Sequence, residues 1–431
     1  MDLLDDAQAM RPELTELRGA LHREPEVGLE LPRTRDRVLA ALAGLPLEIG
    51  TGTATTSVTA VLRGTRPAPG PGAPGPGAPG PGAPGPGAPG PGAPGLGADD
   101  TAERTTVLLR GDMDALPLDE RSGEDFAASN GAMHACGHDL HTSALVGAAR
   151  LLCAHRDRLA GDVVFMFQPG EEGYDGAGVM IREGVLDAAG RRPDHAYALH
   201  VLAHALPAGV VAGRPGAMLS ASYELDVTLH GTGGHGAWPH LAKDPVMAAA
   251  EMVSALQVAV ARSFDVFDPV ILSVGLLRAG TARNIIPDTA YFEATVRAFN
   301  PDLEDRLREV FTRCLRGVAA AHGVEVDVEL HAQYPATIND ATEVEFAKGV
   351  VRELLGEERY YPLANPVNAS EDFSRVLHAV PGAMVMLGSC PSDVDPDRAP
   401  GNHSPLARFD GSVLPTAAAL LASLAALRLA G

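Results

Sequence analysis

Residues 162–173, DVVFMFQPGEEG, join a strongly apolar strand to a turn that carries two adjacent glutamates. An unbroken apolar run of this length is typical of a strand buried on both faces of a sheet. Around it, strand-like runs alternate with helical ones in the order TTVLLR, SALVGAARLLCAHRDRL, DVVFMFQ, GAGVMIREGVL and HAYALHV. This alternation predicts an α/β fold with a largely parallel sheet.

Polar groups follow several of these predicted strands. Asp112 and Asp114, Glu171 and Glu172, and His200 each lie at or just past a strand end. Because parallel α/β sheets bind ligands at the carboxyl edge of their strands, these side chains are expected to share one site.

A second rhythm begins near Gly216. The stretch SYELDVTLH (222–230) alternates apolar and polar residues, which predicts a strand with one buried face. Further along come a helix, two strands, a helix and a closing strand, the β-α-β-β-α-β order of a ferredoxin-like α+β sandwich. Because α/β sequence resumes afterwards, we expect a discontinuous catalytic domain at 1–215 and 332–431. A lid domain at 216–331 would interrupt it, with hinges near Pro215 and residues 333–335.

Composition narrows the function. The chain has 431 residues, 45% of them hydrophobic, and a formal net charge of -21. The length allows two ordinary domains. The negative charge argues against nucleic acid as a partner, and an anionic substrate would need a local arginine.

Cysteine use and the chain ends bear on location. Cys136, Cys153, Cys314 and Cys390 show no framework spacing, so a reducing, cytoplasmic compartment is expected. The acidic start MDLLDDAQAM does not resemble a signal peptide. The Ala/Leu-rich tail at 413–429 is expected to be a buried terminal helix rather than a membrane anchor.

A five-residue repeat, GPGAP, fills residues 66–98. Collagen requires glycine at every third position, so a period of five excludes a triple helix and leaves a flexible, extended loop. Strand-like sequences flank the repeat, SVTAVLRG and TTVLLRG. We therefore expect an enlarged connection between neighbouring strands that hydrolysis does not need.

Several potential metal ligands are spread along the chain. They are Cys136 and His138 in MHACGHD, the pair Glu171 and Glu172, His200 in ALHV and His403 in GNHSP. Thiolate, imidazole and carboxylate together can hold two divalent cations with open positions, which suits a hydrolase. Each residue alone would more often be an ordinary buried or polar side chain, and the combination favours a site.

Eight motifs in order carry a family resemblance: LRGDMDALPL, MHACGHD, FQPGEEG, ALHV, GTGGHGAWPH, GTARNIIPD, SEDF and GNHSP. They resemble the two-domain metallo-amidohydrolases that include hippurate hydrolases, N-acyl-amino-acid deacylases and plant auxin-conjugate hydrolases. The match runs from about Leu14 to the C-terminus, apart from the GPGAP insert.

The resemblance implies a set of metal ligands and a base. The implied ligands are Cys136, His138, Glu172, His200 and His403. They would hold two divalent ions, zinc or manganese foremost, with cobalt or nickel also allowed. Glu171 would be the general base.

The resemblance also assigns groups around the substrate. His235 would donate to the oxyanion, from its own lid or from a partner subunit, and Asn284 and Arg297 would hold the substrate. Asp114 is expected to orient a ligand imidazole. The roles of His134 and His141 stay open between supporting the ligands and filling polar space.

One motif competes with this interpretation. Residues 231–236 read G-x-G-x-x-G, but Pro239 interrupts the helix that a dinucleotide site requires. Trp238 could line an acyl pocket, an interface or a core.

The sequence therefore predicts a metal-dependent amidohydrolase that cleaves N-acyl amino acids, without nucleic acid or membrane partners. The resemblance allows a homodimer formed through the lid. Two alternatives stay open: a dipeptidase or aminopeptidase of the same fold, which would need an acidic group for the substrate amine, and a non-catalytic binding protein with one structural metal.

Overall fold

The computed structural model describes residues 2–67 and 104–430. The GPGAP repeat lies almost wholly outside these residues. The elements up to residue 219 are, in chain order, α1 (Leu3–Ala9), α2 (Arg11–Arg23), α3 (Pro32–Leu42), β1 (Leu47–Thr51), β2 (Val58–Arg63), β3 (Thr106–Asp112), α4 (His138–Ala154), β4 (Asp162–Gln168), α5 (Gly176–Arg182), β5 (His195–Pro207), β6 (Val211–Gly213) and β7 (Gly216–Leu219).

The chain then forms a second unit and returns to the first. The second unit contains β8 (Ala221–His230), β9 (Gly234–His235), α6 (Pro245–Ser263), β10 (Val270–Ala279), β11 (Ile285–Ile286), β12 (Thr289–Ala298), α7 (Glu304–His322) and β13 (Glu325–Tyr334). The return contains β14 (Thr337–Asn339), α8 (Ala341–Leu355), β15 (Tyr360–Pro362), α9 (Ser374–Leu377), β16 (Gly382–Cys390) and α10 (Leu414–Arg428).

Among the described residues, eight strands form one sheet in the order β1-β2-β4-β3-β5-β16-β6-β15. Its centre, β4-β3-β5-β16, is parallel, and β1 and β2 extend it antiparallel. Every residue of β3 and β4 is buried, as their continuous apolar sequences require. The predicted α/β class with a largely parallel sheet is confirmed.

Helices cover both faces of this sheet. In β3, Val107 and Leu109 pack into a core that includes α1–α4, α8 and α10, whereas Leu108 packs into a core with α5 and α9. Successive strand residues point to opposite faces, so the two cores are the two sides of one sheet. The sheet is therefore held between helical layers, with its carboxyl edge left for a site.

Two details of the sheet differ from expectation. The predicted strand end at His200 is wrong, because β5 continues to Pro207 while pairing with β16. The strands on either side of the repeat are not neighbours either, because β4 lies between β2 and β3. A local sequence pattern shows where a strand begins more reliably than which strand it pairs with.

The lid, residues 221–334, follows the predicted β-α-β-β-α-β order. Its four long strands are antiparallel in the order β10-β12-β8-β13, with α6 and α7 packed on one core. This is the strand order of a ferredoxin-like sandwich. The fourth strand runs to Tyr334, past the predicted domain boundary at 331.

The lid has two ends. Ala221, Ala298 and Tyr334 lie at the end nearest the main sheet, here called the lid base. His230 and Thr289 pair at the opposite end, beyond which residues 231–244 and 280–288 form the lid tip. A ten-residue strand spans about 30 Å, so base and tip are far apart along the lid.

Within residues 2–67 and 104–430, two helices are long and apolar enough to cross a membrane by length and composition alone. The window at Gly411–Arg428 is 72% buried, and the window at Pro245–Ser263 is 22% buried. The first, which contains α10, packs on α4 and α1, as a core helix does. The second, α6, leaves an apolar outer face on the lid.

Candidate metal centre

Four side chains, from a helix, a strand and two loops, lie around Cys136, and the five residues together are here called the ligand cluster. Its members are Cys136, His138, Glu172, His200 and His403. The Nε2 atoms of His200 and His403 each lie 3.3 Å from the Cys136 sulfur. The Glu172 Oε1 atom lies 3.2 Å from His403 Nε2 and 4.0 Å from His138 Nε2. All five predicted ligands are therefore brought together.

The Cys136 loop is shaped by a glycine. Gly137 has φ 88° and immediately precedes α4, whose first residue is His138. A Cβ on Gly137 would lie 2.3 Å from a methyl group of Val201, so a larger residue would collide there as well as adopt an unfavourable φ. The bend turns the Cys136 and His138 side chains toward the same space.

His138 is oriented by a backbone carbonyl. Its Nδ1 lies 2.8 Å from the Asp114 carbonyl oxygen, so Nδ1 carries the proton and Nε2 has a free lone pair. The Asp114 carboxylate also approaches this ring, with Oδ1 3.5 Å from Nδ1, and its role in orienting a ligand imidazole stays a prediction. The same carboxylate accepts the backbone N–H groups of Glu171 and Glu172, at 3.0 and 3.1 Å.

His141 supports the site without being free to bind a metal. Its Nδ1 donates to Asp112 Oδ1 at 2.6 Å, and its Nε2 accepts the Val201 N–H at 2.8 Å. Both ring nitrogens thus have hydrogen-bond partners, which favours a supporting role for this residue. It holds the backbone beside His200.

His403 has a strained backbone. Its φ is 68°, in the left-handed region that a non-glycine residue rarely adopts, and its N–H donates to the Ala135 carbonyl at 2.9 Å. Next to it, Asn402 donates to the carbonyls of Cys136 and Val201 at 3.2 and 3.0 Å. Asn402 lies inside the motif GNHSP, but this role was not predicted from the sequence.

Glu171 belongs to what we call the catalytic turn, residues 169–175, which follows β4. Its side chain is buried near Glu371 and Asp372, and Arg110 is fully buried among the same carboxylates. Burial, and then the charges of Glu371 and Glu172, raise the pKa of Glu171 well above its usual range. A carboxylate with a raised pKa takes up a proton readily, as a general base must.

The donor set fits a metal. His138 Nε2 is buried and has no hydrogen-bond partner among residues 2–67 and 104–430, and the Glu172 Oε1 atom lies 3.2 Å from His403 Nε2. Burial opposes ionisation of Cys136, but the imidazoles of His200, His138 and His403 outweigh it and hold the thiol pKa well below its usual range. A thiolate beside imidazole nitrogens and a carboxylate is a ligand set for a divalent cation.

Two overlapping groups of potential ligand atoms share the sulfur. They are Cys136, His138 and His200, and Cys136, Glu172 and His403. A third group contains His138, Glu171 and Glu172. The Cys136 sulfur is therefore common to two groups of potential ligand atoms, as a site for more than one cation would require.

A cavity of about 510 Å³ opens beside the ligand cluster. One wall is apolar, formed by Leu202, Leu219, Val367 and Met386. Arg297, from the lid base, is the one lysine or arginine among the described residues that line the cavity. Its guanidinium donates to the Ser370 hydroxyl at 2.9 Å and makes no ion pair within the described chain. The cavity can therefore take an apolar group and an anion.

His235 and Asn284 lie elsewhere, at the lid tip. They lie on adjoining backbone, because β9 pairs with β11 and the Gly236 N–H donates to the Asn284 carbonyl at 2.9 Å. Both are exposed, and neither lines the cavity. Trp238 is 59% exposed and packs against the His235 ring, so it does not line the cavity either.

Helix α2 forms hydrogen bonds with the start of α4. Its residue His22 lies between two carboxylates, 2.9 Å from Asp139 Oδ2 and 3.1 Å from Glu120 Oε1, and Arg18 also donates to Asp139. Although burial opposes it, these carboxylates raise the pKa of His22 to about 9. The adjacent His134 is buried without a hydrogen-bond partner in the described chain, and burial lowers its pKa to about 3.

Known proteins are similar to this chain in sequence and in fold. A model of peptidase family M20/M25/M40 matches residues 108–427. The chain is 39% identical to the IAA-amino acid hydrolase ILR1-like 2 of Arabidopsis thaliana over 75% of this chain and 73% of that protein. It is 34% identical to the N-acetyl-L-cysteine deacetylase of Bacillus subtilis over 67% and 68%.

A solved structure is also similar. The YXEP protein of Bacillus subtilis, described as a dinuclear metal binding peptidase, superimposes with a TM-score of 0.77 at 26% identity. The superposition covers 98% of this chain and 99% of that one.

Proposed function

The chain belongs to peptidase family M20/M25/M40, and from that membership we propose that it is a metal-dependent amidohydrolase that cleaves N-acyl amino acids. The products would be a carboxylic acid and a free amino acid. One observation carries the proposal: one cavity is lined by Glu171, by Arg297 and by four members of the ligand cluster, Cys136, Glu172, His200 and His403. The two relatives named above are a hydrolase of amino-acid conjugates and a deacetylase, which supports this substrate class.

We propose that the ligand cluster binds two divalent cations, with Cys136 contributing to both sites. The unpaired His138 Nε2 atom, which lies among the potential ligand atoms of Cys136 and Glu172, supports this assignment. Thiolate and imidazole favour zinc, whereas imidazole and carboxylate also accept manganese, cobalt or nickel. When bound, the cations would polarise the amide carbonyl and lower the pKa of a water molecule.

We propose that Glu171 moves the proton. Its carboxylate would take a proton from the attacking water and deliver it to the leaving nitrogen, which amide cleavage requires. Asp114 fixes the backbone of the turn on which Glu171 stands. Glu171 is therefore held at the reacting centre without being needed as a ligand.

We propose that Arg297 binds the free carboxylate of the substrate. A chain with net charge -21 repels anions in general, so a local cation is needed, and Arg297 has no carboxylate partner in the described residues. A guanidinium can bind a carboxylate through two parallel hydrogen bonds. The apolar wall opposite would accept an acyl group.

The position of His235 supports a homodimer through the lid. His235 and Asn284 lie at the exposed lid tip, away from the cavity of their own chain. On the same lid, α6 exposes Met247 and Val258, at 58% and 61%, and β10 is an edge strand. A second copy could cover these groups, and the tip would then deliver His235 to the partner's oxyanion and Asn284 to its substrate.

We propose a cytoplasmic location. The four cysteines of the chain are all unpaired, and Cys136 would be needed as a thiolate, which a reducing compartment preserves.

The proposal is tested with a metal-supplemented substrate panel. N-acetyl and N-benzoyl amino acids are compared with dipeptides of the same residues, and Glu171→Ala is the control. We expect cleavage of the N-acyl compounds that the control lacks. Faster cleavage of dipeptides would favour the peptidase alternative, and one chelator-resistant metal without any hydrolysis would favour the binding protein.

A further inference from the structure

Tyr334 joins the lid to the catalytic turn. It is the last residue of β13 and is 6% exposed, and its hydroxyl donates to the backbone carbonyl of Glu171 at 2.8 Å. The same hydroxyl accepts the Asp175 N–H at 3.2 Å. A lid residue thus bridges Glu171, the proposed base, and Asp175, the last residue of the same turn.

A β-bulge aims this side chain. The register between β13 and β8 shifts between Ala332 and Tyr334, which leaves Gln333 as the extra residue. Bulges bend a strand and redirect the residue that follows, and they occur often beside active sites. The Gln333 side chain accepts a hydrogen bond from Ser222 at 2.7 Å, which keeps the bulge on the lid.

A second connection between the lid and the catalytic turn runs through Arg375. Arg375 donates to the Gln333 carbonyl at 2.8 Å and also forms an ion pair with Asp175. The lid strand is therefore attached to the catalytic turn at two successive residues. On the other side of the turn, the Asp114 carboxylate holds the N–H groups of Glu171 and Glu172.

Two parts of the molecule, the catalytic domain and the lid, hold the catalytic turn in place. Asp114, which follows β3 of the main sheet, accepts hydrogen bonds from the N–H groups of Glu171 and Glu172. Tyr334, from the lid, donates a hydrogen bond to the Glu171 carbonyl. The backbone that carries the Glu171 side chain is therefore held by Asp114 at its N–H and by Tyr334 at its carbonyl. A shift of the lid base would therefore rotate the Glu171 peptide, and small misplacements of a catalytic group lower rates steeply.

We infer that Tyr334 is a positioning residue through which the lid sets the orientation of the Glu171 carboxylate. This inference rests on the proposed function, because it assigns Glu171 as the base. Attachment of the lid to the catalytic turn would then affect the rate of the chemical step, independently of any group that the lid tip brings to the substrate.

Tyr334→Phe removes the hydroxyl and keeps the buried ring. We expect kcat on an N-acyl amino acid to fall between about 10-fold and 100-fold, with KM changed less than about threefold and metal content unchanged. Tyr223→Phe is the matched control, since Tyr223 is a lid tyrosine only 3% exposed whose hydroxyl makes no hydrogen bond in the described chain. Its kcat should stay at the wild-type value.

A double-mutant cycle separates positioning from general stability. In the Glu171→Ala background, Tyr334→Phe should cause no further loss, because there is no carboxylate left to orient. An equal loss in both backgrounds would mean that Tyr334 only supports the fold, and the inference would be wrong. Arg375→Gln, which cuts the parallel tie, should produce a smaller loss of kcat with the same dependence on Glu171.

The outcomes distinguish this inference from the proposed function. If the wild-type protein cleaves no N-acyl amino acid at all, the proposed function fails. If the wild type is active and both Tyr334→Phe and Arg375→Gln match Tyr223→Phe in kcat, the function stands and the inference is overturned. Thermal melting of each variant shows whether it is folded at the assay temperature.

Discussion

The ligand cluster and the lid tip carry groups for the same proposed reaction, but the chain builds them in opposite ways. Around the cluster, Cys136 and His138 are buried, and carbonyls and carboxylates fix the neighbouring groups. At the tip, His235 is exposed, and its Nδ1 is hydrogen-bonded only to the backbone two residues away, at 3.1 Å. The ligand cluster is thus gathered by its own chain, whereas His235 and Asn284 do not line the cavity of their own chain.

This difference indicates how the work is shared. A metal site needs ligand atoms within a few tenths of an ångström, which only cross-linked, buried side chains can supply. A donor that must approach after the substrate enters can stand on an exposed, separate element. This contrast would be wrong if side chains of the ligand cluster could be removed without loss of activity, or if His235 acted on the substrate bound by its own chain.

The largest effect is expected from Glu171→Gln. The amide keeps the shape of the side chain but cannot take a proton, so kcat should fall about 10³-fold or more with little change in KM. Steady-state kinetics on an N-acyl amino acid measure this change.

Metal analysis separates the two neighbouring glutamates. Glu171→Gln should keep the wild-type metal content, whereas Glu172→Gln should lose metal as well as activity. A Glu171→Gln enzyme within tenfold of wild type would show that another group is the base.

His235→Ala should lower kcat by about 10²-fold, because an oxyanion donor is lost while the ligand cluster is intact. The informative experiment mixes this variant with Glu171→Ala and lets the subunits exchange. If His235 acts across a dimer, half of the dimers are hybrids with one complete site, and activity returns to about a quarter of the wild-type value. No recovery in subunits shown to exchange would place His235 in its own chain.

Arg297→Ala should act on binding rather than on the chemical step. Loss of a charge-assisted pair is typically worth about 2 kcal/mol, which corresponds to a rise of roughly 30-fold in KM. Arg297→Lys should recover only part of this, since an ammonium lacks the planar fork. With a substrate whose carboxylate is replaced by an amide, wild type and Arg297→Ala should have similar KM values; a persistent difference would show that Arg297 does not bind the carboxylate.

The contact between His22 of α2 and Asp139 of α4 should depend on pH. His22 faces Asp139, Glu120, Arg18 and His134. Its pKa is raised from 6.5 to about 9, so its stabilising effect is complete below pH 6.5 and is lost as pH rises through about 9. The effect is at most roughly 3 kcal/mol. Urea unfolding of wild type and His22→Gln should differ most at pH 6 and converge above pH 9; a constant difference would rule out the charged His22.

Much of this architecture could be predicted from local sequence. The buried runs of β3 and β4 and the alternation in β8 are periodic signals, and the predicted fold class and family are confirmed. The five proposed ligands were recognisable because each lies in a short motif. Their roles stay predictions, although the structure gathers their side chains.

The contacts that hold the site could not be predicted in this way. Tyr334 and Glu171 are 163 residues apart, His22 and Asp139 are 117 apart, and Arg110 and Glu371 are 261 apart. No sequence period links such pairs, and each member alone resembles an ordinary polar residue. The same holds for β4, whose insertion between β2 and β3 depends on pairing across the sheet.

The smallest effect is expected from deleting residues 67–95, most of the GPGAP repeat. The described ends of this connection are already anchored, since the Gly64 N–H donates to the Gly161 carbonyl at 3.1 Å and Arg104 donates to the Gly64 carbonyl at 2.6 Å. Both contacts lie at the Asp162 end of β4, whereas the catalytic turn follows Gln168 at the other end, about 20 Å away.

Residues 96–103 would still join the anchors after this deletion. Shortening the loop removes closure entropy, so stability should stay the same or rise by roughly 1 kcal/mol. The ratio kcat/KM should stay within about twofold, because no predicted ligand or substrate group is near that edge of the sheet. A large loss of activity in a folded, metal-loaded deletion variant would mean that the repeat reaches the lid or the cavity, and the division between a self-contained cluster and an externally completed tip would have to include it.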